Sequence, residues 1–331
     1  MDRNNIALKR RNDESYEDYF VRLFDNKKVY DLNCEDIAQL LNEETGQSYT
    51  ESAYRKEYAA FNRGRSYERQ FSEKGVVTRI LSISDLHYPY AKPIKTYAEY
   101  AGRVDILQLN GDILDCQAIS KFPKTYRISP IEEIIGARQY IIELIEYIRP
   151  KKVVVTYGNH DLRLGSYVAK QLDNELQELL PETALSYIFT DGFVHYDRKN
   201  RCKIRYDGLC DVFTDIEIEY TDNWWCQIGD TIFCHPKTFS TNPMKTAEKA
   251  LYWFRNQGLI FKSLVMAHTH RIGSYKIGNT TIYEQGACCE TTSMQYSDGL
   301  LVNSQKEGFI YICFDKDDCN MEDKTKLISL N

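Results

Sequence analysis

The 331-residue sequence lacks the features of several large protein classes. No run of about 18 consecutive apolar residues is present, so we expect no membrane-spanning helix and no membrane partner. Residues 1–20 are polar and contain no apolar signal-peptide core. The ten cysteines form no CxxC pair and no zinc-finger spacing, which favours reduced thiols over a disulfide framework. We therefore expect a soluble, cytoplasmic protein.

The sequence also has no excess of positive charge. Its 42 Lys and Arg residues stand against 48 Asp and Glu residues, which gives a formal net charge of −6. This balance excludes a protein whose whole surface binds nucleic acid or anionic membrane. Hydrophobic residues make up 43% of the chain, enough for a substantial core, and this excludes wholesale disorder.

Residues 1–75 have a helical pattern, and we predict a small all-α domain there. Apolar residues at helical spacing indicate helices near Tyr16–Phe24 and Glu35–Leu41, and a third helix that begins after Thr50. Three short helices with a glycine-containing turn before the last are compatible with a helix-turn-helix.

The third of these helices leads into a basic stretch with interleaved aromatic residues. Its candidate contacts to DNA phosphates are Arg55, Lys56, Arg63 and Arg65. The alternative is a helical bundle used for packing or homo-oligomerisation, with solvated charges. Residues 1–75 as a whole carry net negative charge, which favours that alternative.

Residues 76–331 alternate between apolar strand-like runs and helical segments, which predicts an α/β domain. Buried strands are predicted at 76–83, 106–109 and 152–157. Further strands are predicted at 231–234, 264–267, 274–277, 280–283 and 309–314, and helices at 131–148 and 245–254. Residues 162–230 are long and mixed in character, and an insertion or cap over the active face is predicted within them.

Five of the six histidines follow predicted strands and lie next to carboxylates, amides or each other. Their contexts are Asp85-Leu86-His87, Gly158-Asn159-His160-Asp161, Cys234-His235 and His268-Thr269-His270, and the acidic segment Gly111-Asp112-Ile113-Leu114-Asp115 follows another predicted strand. Loops that leave the carboxyl ends of strands converge on one crevice, so these residues are predicted to form a single site. The sixth histidine, His195, is interpreted as an ordinary surface or core residue.

Imidazole, carboxylate and amide ligands without thiolate suit Mn²⁺, Fe or Zn²⁺. The set is larger than one tetrahedral ion needs, which predicts two divalent ions. Two ions about 3.5–4 Å apart can clamp the attacking and leaving oxygens of a phosphoryl displacement. We expect Mn²⁺, with Fe or Zn²⁺ as alternatives.

Residues 78–314 resemble the calcineurin-like metallophosphoesterase superfamily. The resemblance lies in five motifs that follow strands in this order: Asp-x-His, Gly-Asp-x-x-Asp, Gly-Asn-His-Asp, a lone His and His-x-His. The resemblance implies a sandwich of mixed β-sheets flanked by helices, and a phosphoric ester hydrolase. It also implies a set of metal ligands: Asp85, His87 and His270 for one ion, Asn159, His235 and His268 for the second, and Asp112 bridging both.

The same resemblance implies a catalytic role for His160, which would stabilise the transition state or protonate the leaving group. Asp161 would orient the imidazole ring of His160 and keep it cationic. A hydroxide bridging the two ions would be the nucleophile.

The sequence departs from the family pattern in two places. Ala267 stands where a glycine usually precedes His-x-His, and Tyr88-Pro89-Tyr90 follows Asp-x-His where a glycine is common. Tyr88 and Tyr90 are candidate substrate-binding residues that could stack on a base, and packing under the loop is the alternative.

The Gly-Asp-x-x-Asp motif narrows the choice of substrate class, because it resembles the corresponding motif of the nuclease branch. Protein phosphatases of the superfamily place Arg-Gly directly after this motif, whereas Cys116-Gln117 follows here. The expected function is therefore a DNA nuclease that hydrolyses phosphodiesters. The alternatives are an enzyme for small nucleotides or phosphomonoesters, and a non-catalytic DNA-binding protein on a vestigial fold. The combination of a helix-turn-helix-like region with this type of enzyme resembles arrangements in phages of Gram-positive bacteria. A phage protein of this kind would be located in the cytoplasm of the host.

Overall fold

The computed structural model describes residues 8–11, 14–28, 30–72, 74–120, 127–172, 181, 183–294 and 305–330. For residues 66 and 68–72 it describes the backbone alone. The chain divides into two compact units, Met1–Lys74 and Gly75–Asn331.

The first unit contains the helices α1 (Tyr16–Asp25), α2 (Cys34–Thr45) and α3 (Glu51–Ser72). Each helix begins at a polar cap. Ser15 and Asn33 accept hydrogen bonds from backbone N–H groups in the first turns of α1 and α2, and the Thr50 hydroxyl accepts one from Ala53. Gly46 ends α2 in the left-handed conformation, with φ of +68°.

Apolar side chains from all three helices form the core of this unit. The buried members are Leu8, Tyr19, Phe20, Leu23, Phe24, Leu32, Ile37, Ala38, Leu41 and Tyr54. The prediction of a small all-α region is therefore confirmed. Its function as a helix-turn-helix stays a prediction.

The second unit begins with β1 and contains two mixed sheets. Its strands are β1 (Thr78–Ile83), β2 (Ile106–Asn110), β3 (Lys152–Thr156), β4 (Phe193–Asp197), β5 (Cys202–Tyr206), β6 (Glu217–Tyr220), β7 (Trp225–Ile228), β8 (Thr231–Cys234), β9 (Ser263–Met266), β10 (Ile272–Ile277), β11 (Thr280–Gln285), β12 (Gly308–Phe314) and β13 (Lys326–Ser329). Among its described residues, the α-helices are α4 (Pro130–Ile148), α5 (Arg163–Ala169), α6 (Leu185–Phe189), α7 (Leu209–Val212) and α8 (Lys245–Asn256). Single 3₁₀ segments lie at Ile94–Tyr100, Gln117–Ile119 and Thr291–Ser293.

The two sheets pack face to face between layers of helix. The first has the order β13-β12-β1-β2-β3-β6 and the second the order β10-β11-β9-β8-β7. Residues such as Ile80, Val154, Phe233 and Val265 fill the space between them. The helix α4 covers the outer face of the first sheet, and α8 covers the second. This arrangement confirms the predicted sandwich of mixed sheets flanked by helices.

The chain between β3 and β6 leaves the first sheet and later returns to it. It forms α5, α6, the antiparallel β4–β5 hairpin and α7 before β6 pairs in parallel with β3. Residues 173–180 and 182 lie outside the described part of the chain. The predicted cap over the active face within residues 162–230 therefore stays a prediction. No helix in the described ranges combines the length and apolar character needed to cross a membrane.

Candidate metal centre

Loops from the ends of both sheets meet at one place. The strands β1, β2 and β3 run parallel in the first sheet, and β8 and β9 run parallel in the second. Asn110 at the end of β2 joins the two sheets, because its side-chain amide donates to the carbonyl of Cys234 at 3.3 Å and its own carbonyl accepts from Nδ1 of His235 at 2.7 Å. The residues that follow these strands therefore face a common centre.

One group of candidate ligands consists of Asp85, His87 and His270. These buried residues offer one ligand atom each, and the three atoms lie within 4.8 Å of one another. His270 Nε2 lies 3.0 Å from Asp85 Oδ1 and 3.2 Å from His87 Nε2. Two imidazole nitrogens and a carboxylate oxygen at this spacing suit a divalent cation of the Mn, Fe or Zn type.

A second group consists of Asp112, His235 and His268, with candidate ligand atoms again within 4.8 Å of one another. The hydrogen bond from His235 Nδ1 to a carbonyl fixes the ring with Nε2 3.2 Å from Asp112 Oδ2, and a metal ion would displace any proton on that nitrogen. Within the described chain, the Nε2 atoms of His235 and His268 and Oδ1 of Asn159 are buried without a hydrogen-bond partner. Buried polar atoms are normally satisfied, so these three unpartnered atoms fit the ligands of a metal ion.

Asp112 lies between the two groups. Its Oδ2 is 3.2 Å from His235 Nε2 and 3.8 Å from His87 Nε2, while Oδ1 accepts a 2.7 Å hydrogen bond from the backbone N–H of His160. The side chain is held in place and reaches both groups, as a bridging carboxylate must.

The electrostatics of the centre favour cations. Burial alone would raise the pKa of Asp85, but His270 and His235 hold this pKa well below its ordinary value. Burial would lower the pKa of His87, but the neighbouring carboxylates of Asp115 and Asp85 favour the protonated ring and raise this pKa to about 10. The carboxylates thus demand compensating positive charge, and metal ions compete with protons for the same atoms.

The backbone of the centre is strained. Five predicted ligands adopt left-handed conformations with φ between 44° and 79°: Asp85, His87, Asp112, His268 and His270. Each non-glycine residue in this region costs about 1–2 kcal/mol. Strain of this kind is retained where a functional site requires it.

Two motif glycines allow the loops to approach each other. A Cβ atom on Gly158 would lie 2.1 Å from Asp112 Oδ1, and one on Gly111 would lie 2.6 Å from the nitrogen of Gly158. A larger residue at position 158 would displace the Asp112 carboxylate, and one at position 111 would push the loop after β3 and the His235 ring apart from the loop after β2.

His160 is nearly buried at the rim of the centre and has partners that the sequence did not indicate. Its Nδ1 lies 3.2 Å from Asp115 Oδ1, and its Nε2 accepts a 2.7 Å hydrogen bond from the guanidinium of Arg163. Burial lowers the pKa of His160 to about 4, with His87 and Arg163 acting in the same direction and Asp112 opposing them. The ring is therefore neutral near pH 7, and the expectation of a cationic His160 is wrong for this structure.

Asp161 does not orient His160, so that prediction is also wrong. Its Oδ2 accepts hydrogen bonds of 2.8 Å from the N–H groups of Asp112 and Gly158, and its Oδ1 accepts bonds of 3.1 Å from those of Ile113 and Leu114. Asp161 thus ties the loop after β2 to the loop after β3. The partner of the His160 ring is Asp115, the last residue of the Gly-Asp-x-x-Asp motif.

With this geometry established, comparison with known proteins decides the family. Residues 78–272 match the sequence profile of the calcineurin-like phosphoesterases. The chain belongs to the calcineurin-like phosphoesterase family. Membership together with the His and Asp centre indicates a metal-dependent phosphoesterase.

The first unit of the phosphoesterase matches a different family. Residues 4–72 match the YonJ N-terminal domain. A segment of 69 residues is 42% identical to the SPbeta prophage-derived uncharacterized protein YonJ of Bacillus subtilis strain 168, and covers 21% of the present chain. The match spans only 17% of the length of that relative.

Solved structures show distant similarity to the phosphoesterase. Vacuolar protein sorting 29 from Cryptosporidium parvum is 14% identical, with a TM-score of 0.38 over 77% of the present chain and 97% of its own. An archaeal phosphodiesterase is 14% identical, with a TM-score of 0.36; the match covers 76% of the present chain and 100% of the archaeal one. A metallophosphoesterase from Sphaerobacter thermophilus is 15% identical, with a TM-score of 0.34; the match covers 77% of the present chain and 89% of the other.

The two tyrosines after Asp-x-His occupy different surroundings in the phosphoesterase. The ring of Tyr88 packs against Gly136 of α4, where an added Cβ would lie 2.4 Å from the tyrosine hydroxyl. This position favours the packing alternative over substrate stacking. Tyr90 is half-buried and packs against a small cluster that contains Cys289. Stacking of Tyr90 on a substrate stays a prediction.

The four candidate DNA contacts all lie on α3 of the first unit. Arg55 pairs with Glu51 one turn away at 3.1 Å, and Arg65 pairs with Asp25 at 3.1 Å. Lys56 and Arg63 are exposed. Arg65 therefore stabilises the helical unit itself, and Lys56 and Arg63 are better placed for a partner.

Proposed function

We propose that the protein is a two-metal phosphodiesterase that cleaves DNA. The observation that carries the proposal is the convergence of two ligand groups, Asp85-His87-His270 and Asp112-His235-His268. In the described chain, the Nε2 atoms of both histidines of the second group and Oδ1 of Asn159 are also buried without a hydrogen-bond partner. A vestigial, non-catalytic fold would have no reason to retain unsatisfied buried atoms beside a strained backbone.

Asp85, His87 and His270 would hold one ion, and Asn159, His235 and His268 the second, with Asp112 shared. Bound divalent ions lower the pKa of water and neutralise charge on a phosphoryl group.

The residues at the rim would handle the leaving group. Arg163 is half-buried and its guanidinium lies 2.7 Å from His160 Nε2, so both can face one phosphoryl oxygen. The negative charge of a bound phosphodiester raises the pKa of a neighbouring imidazole. Once the Arg163 guanidinium donates to the phosphoryl oxygen and no longer to Nε2, His160 can take a proton from solvent on Nε2 and donate it to the departing alkoxide, while Asp115 holds Nδ1.

DNA is supported as the substrate by three features. The Gly-Asp-x-x-Asp motif is followed by Cys116-Gln117 and not by the Arg-Gly of protein phosphatases. The relative of the first unit is prophage-derived. Lys56 and Arg63 are exposed on α3, where they could contact phosphates. A small nucleotide or phosphomonoester is the second candidate.

The test compares substrates on Mn²⁺-reconstituted protein: single- and double-stranded DNA, bis(p-nitrophenyl) phosphate and p-nitrophenyl phosphate. We expect DNA and the diester to be hydrolysed and the monoester to react poorly. His160→Ala should lose about 10²–10⁴-fold in kcat with its metal content retained. The matched control is His195→Ala, on the β4–β5 hairpin, and should retain full activity.

Two results would contradict the proposal: full DNA cleavage by metal-free protein, or turnover of the monoester alone. A further pair of variants tests the first unit. Lys56→Gln with Arg63→Gln should slow DNA cleavage and leave bis(p-nitrophenyl) phosphate unaffected. Equal rates on DNA would remove these two residues from the DNA contact.

A further inference from the structure

A cleft of about 460 Å³ lies beside the metal centre in the phosphoesterase unit. Its walls include three aromatic side chains and two lysines: Tyr157, Trp224, Trp253, Lys237 and Lys249. A cleft of this volume is in the range that binds small molecules.

The cleft and the metal centre share their loops. Pro236 and Lys237 directly follow His235, and Tyr157 precedes Gly158-Asn159-His160. The backbone N–H of His235 donates a 2.8 Å hydrogen bond to the carbonyl of Trp224. A ligand in the cleft therefore adjoins the second group of predicted metal ligands.

The aromatic wall has a fixed part and an exposed part. Trp224 is stacked on Phe254 at 5.3 Å between ring centroids, which holds the indole in place. Trp253 lies 5.0 Å from Trp224 and leaves 42% of its surface exposed. An exposed tryptophan beside a cleft marks a binding surface for a flat apolar group.

The charged wall is positive. Lys237 and Lys249 are exposed, and within the described ranges neither forms an ion pair with a carboxylate. By contrast, Lys245 on the same helix as Lys249 pairs with Glu248 at 2.6 Å. No acidic side chain lines the cleft among the described residues. Its ligand should therefore combine an aromatic ring with negative charge.

We propose that this cleft binds the nucleobase of a nucleoside phosphodiester whose phosphate lies at the metal centre. The inference rests on the proposed function and narrows it, because the enzyme would prefer phosphodiesters that carry a base. Stacking on Trp253 would tolerate every base, since each presents a π-face. Lys237 and Lys249 would contact the phosphate adjacent to the scissile one.

The first experiment measures binding without metal or turnover. Two of the three tryptophans line the cleft, so thymidine 5′-monophosphate should quench the intrinsic fluorescence. Trp253→Ala should raise the Kd for thymidine 5′-monophosphate at least tenfold, equivalent to a loss of about 1.4 kcal/mol of binding free energy. Tyr252→Ala is the matched control, because Tyr252 is the neighbouring residue on α8, is 46% exposed and does not line the cleft. An unchanged Kd in Trp253→Ala would overturn the proposal.

The second experiment compares hydrolysis of the dinucleotide TpT with that of its analogue lacking both bases. Trp253→Ala should lower kcat/KM for TpT about tenfold and leave the base-free analogue unchanged. Lys237→Gln with Lys249→Gln should lower kcat/KM for a longer oligothymidylate, with Lys245→Gln as the control. Equal losses on TpT and its base-free analogue would overturn the proposal.

The outcomes separate the two ideas. If wild-type protein hydrolyses neither compound, the proposed function fails, and the fluorescence titration still decides whether the cleft binds a nucleotide. If both compounds react equally well and nucleotides do not quench, the nucleobase site fails while the phosphodiesterase stands. A preference for oligothymidylate over TpT would identify a DNA strand as the source of the base. A preference for TpT would identify a small nucleotide as its source.

Discussion

Asp161→Ala should strongly destabilise the phosphoesterase unit, because Asp161 ties the loop after β2 to the loop after β3 through backbone N–H groups. Its carboxylate accepts four backbone hydrogen bonds of 2.8–3.1 Å in a fully buried position. Bonds to charged groups contribute about 1.5–3 kcal/mol each. Taking the lower value, since water can partly replace a lost acceptor, alanine should cost about 6 kcal/mol. Asp161→Asn keeps one acceptor oxygen but sets its NH2 group against two backbone N–H donors, so it should also destabilise the unit.

Urea unfolding followed by circular dichroism measures this loss. Asp197→Ala is the control, because Asp197 also accepts from backbone N–H groups, at Lys199 and Asn200, but in an exposed turn. It should change the free energy of unfolding by less than about 1 kcal/mol. The reasoning is refuted if Asp161→Ala costs no more than Asp197→Ala, or if it leaves stability intact and changes only the pH profile of activity.

Three further predictions concern glycines and a buried carboxyl. Gly158→Ala should abolish metal binding, because its Cβ would lie 2.1 Å from Asp112 Oδ1, whereas Gly273→Ala, with open space around it, should bind metal normally as judged by equilibrium dialysis. Burial raises the pKa of Glu133 to about 7, so the folded protein binds the proton of this carboxyl more tightly than the unfolded chain does. Proton binding therefore stabilises the fold at low pH, and this contribution to the free energy of unfolding is lost as the pH rises from about 4.5 to 7. Glu133→Gln should therefore flatten the difference in unfolding free energy between pH 5 and pH 8 by up to about 3 kcal/mol, and an identical difference in both proteins would contradict this assignment. Gly64→Ala in α3 should stabilise the first unit by about 0.5–1 kcal/mol in chemical denaturation, since nothing lies within 4 Å of the added methyl; a loss of stability would contradict it.

Much of the centre could be predicted from the sequence because its residues follow strands directly. The buried apolar runs of β1, β2, β3 and β8 are unambiguous, and a polar residue after such a run must lie at the edge of the sheet. The helix predicted at 131–148 is observed at Pro130–Ile148, since Ser129 and Glu132 form a capping box at its start.

What the sequence could not show depends on contacts between distant segments. Asp115 and Asp161 are both carboxylates near His160, and only the loop geometry decides that the first faces the ring and the second binds backbone N–H groups. Arg163 lies one turn beyond His160 in a short helix without a clear pattern. The β4–β5 hairpin and β6 were missed because their residues alternate between partly and fully exposed, so no continuous apolar run marks them.

The central claim is that Asp112 joins two ligand groups that hold a pair of cations. Metal analysis of Mn²⁺-loaded protein after equilibrium dialysis, combined with electron paramagnetic resonance, tests it most directly. The account predicts two ions per chain with an exchange-coupled spectrum, and loss of that coupling in Asp112→Ala. One ion or none in the wild-type protein, or an unchanged spectrum in Asp112→Ala, would contradict it.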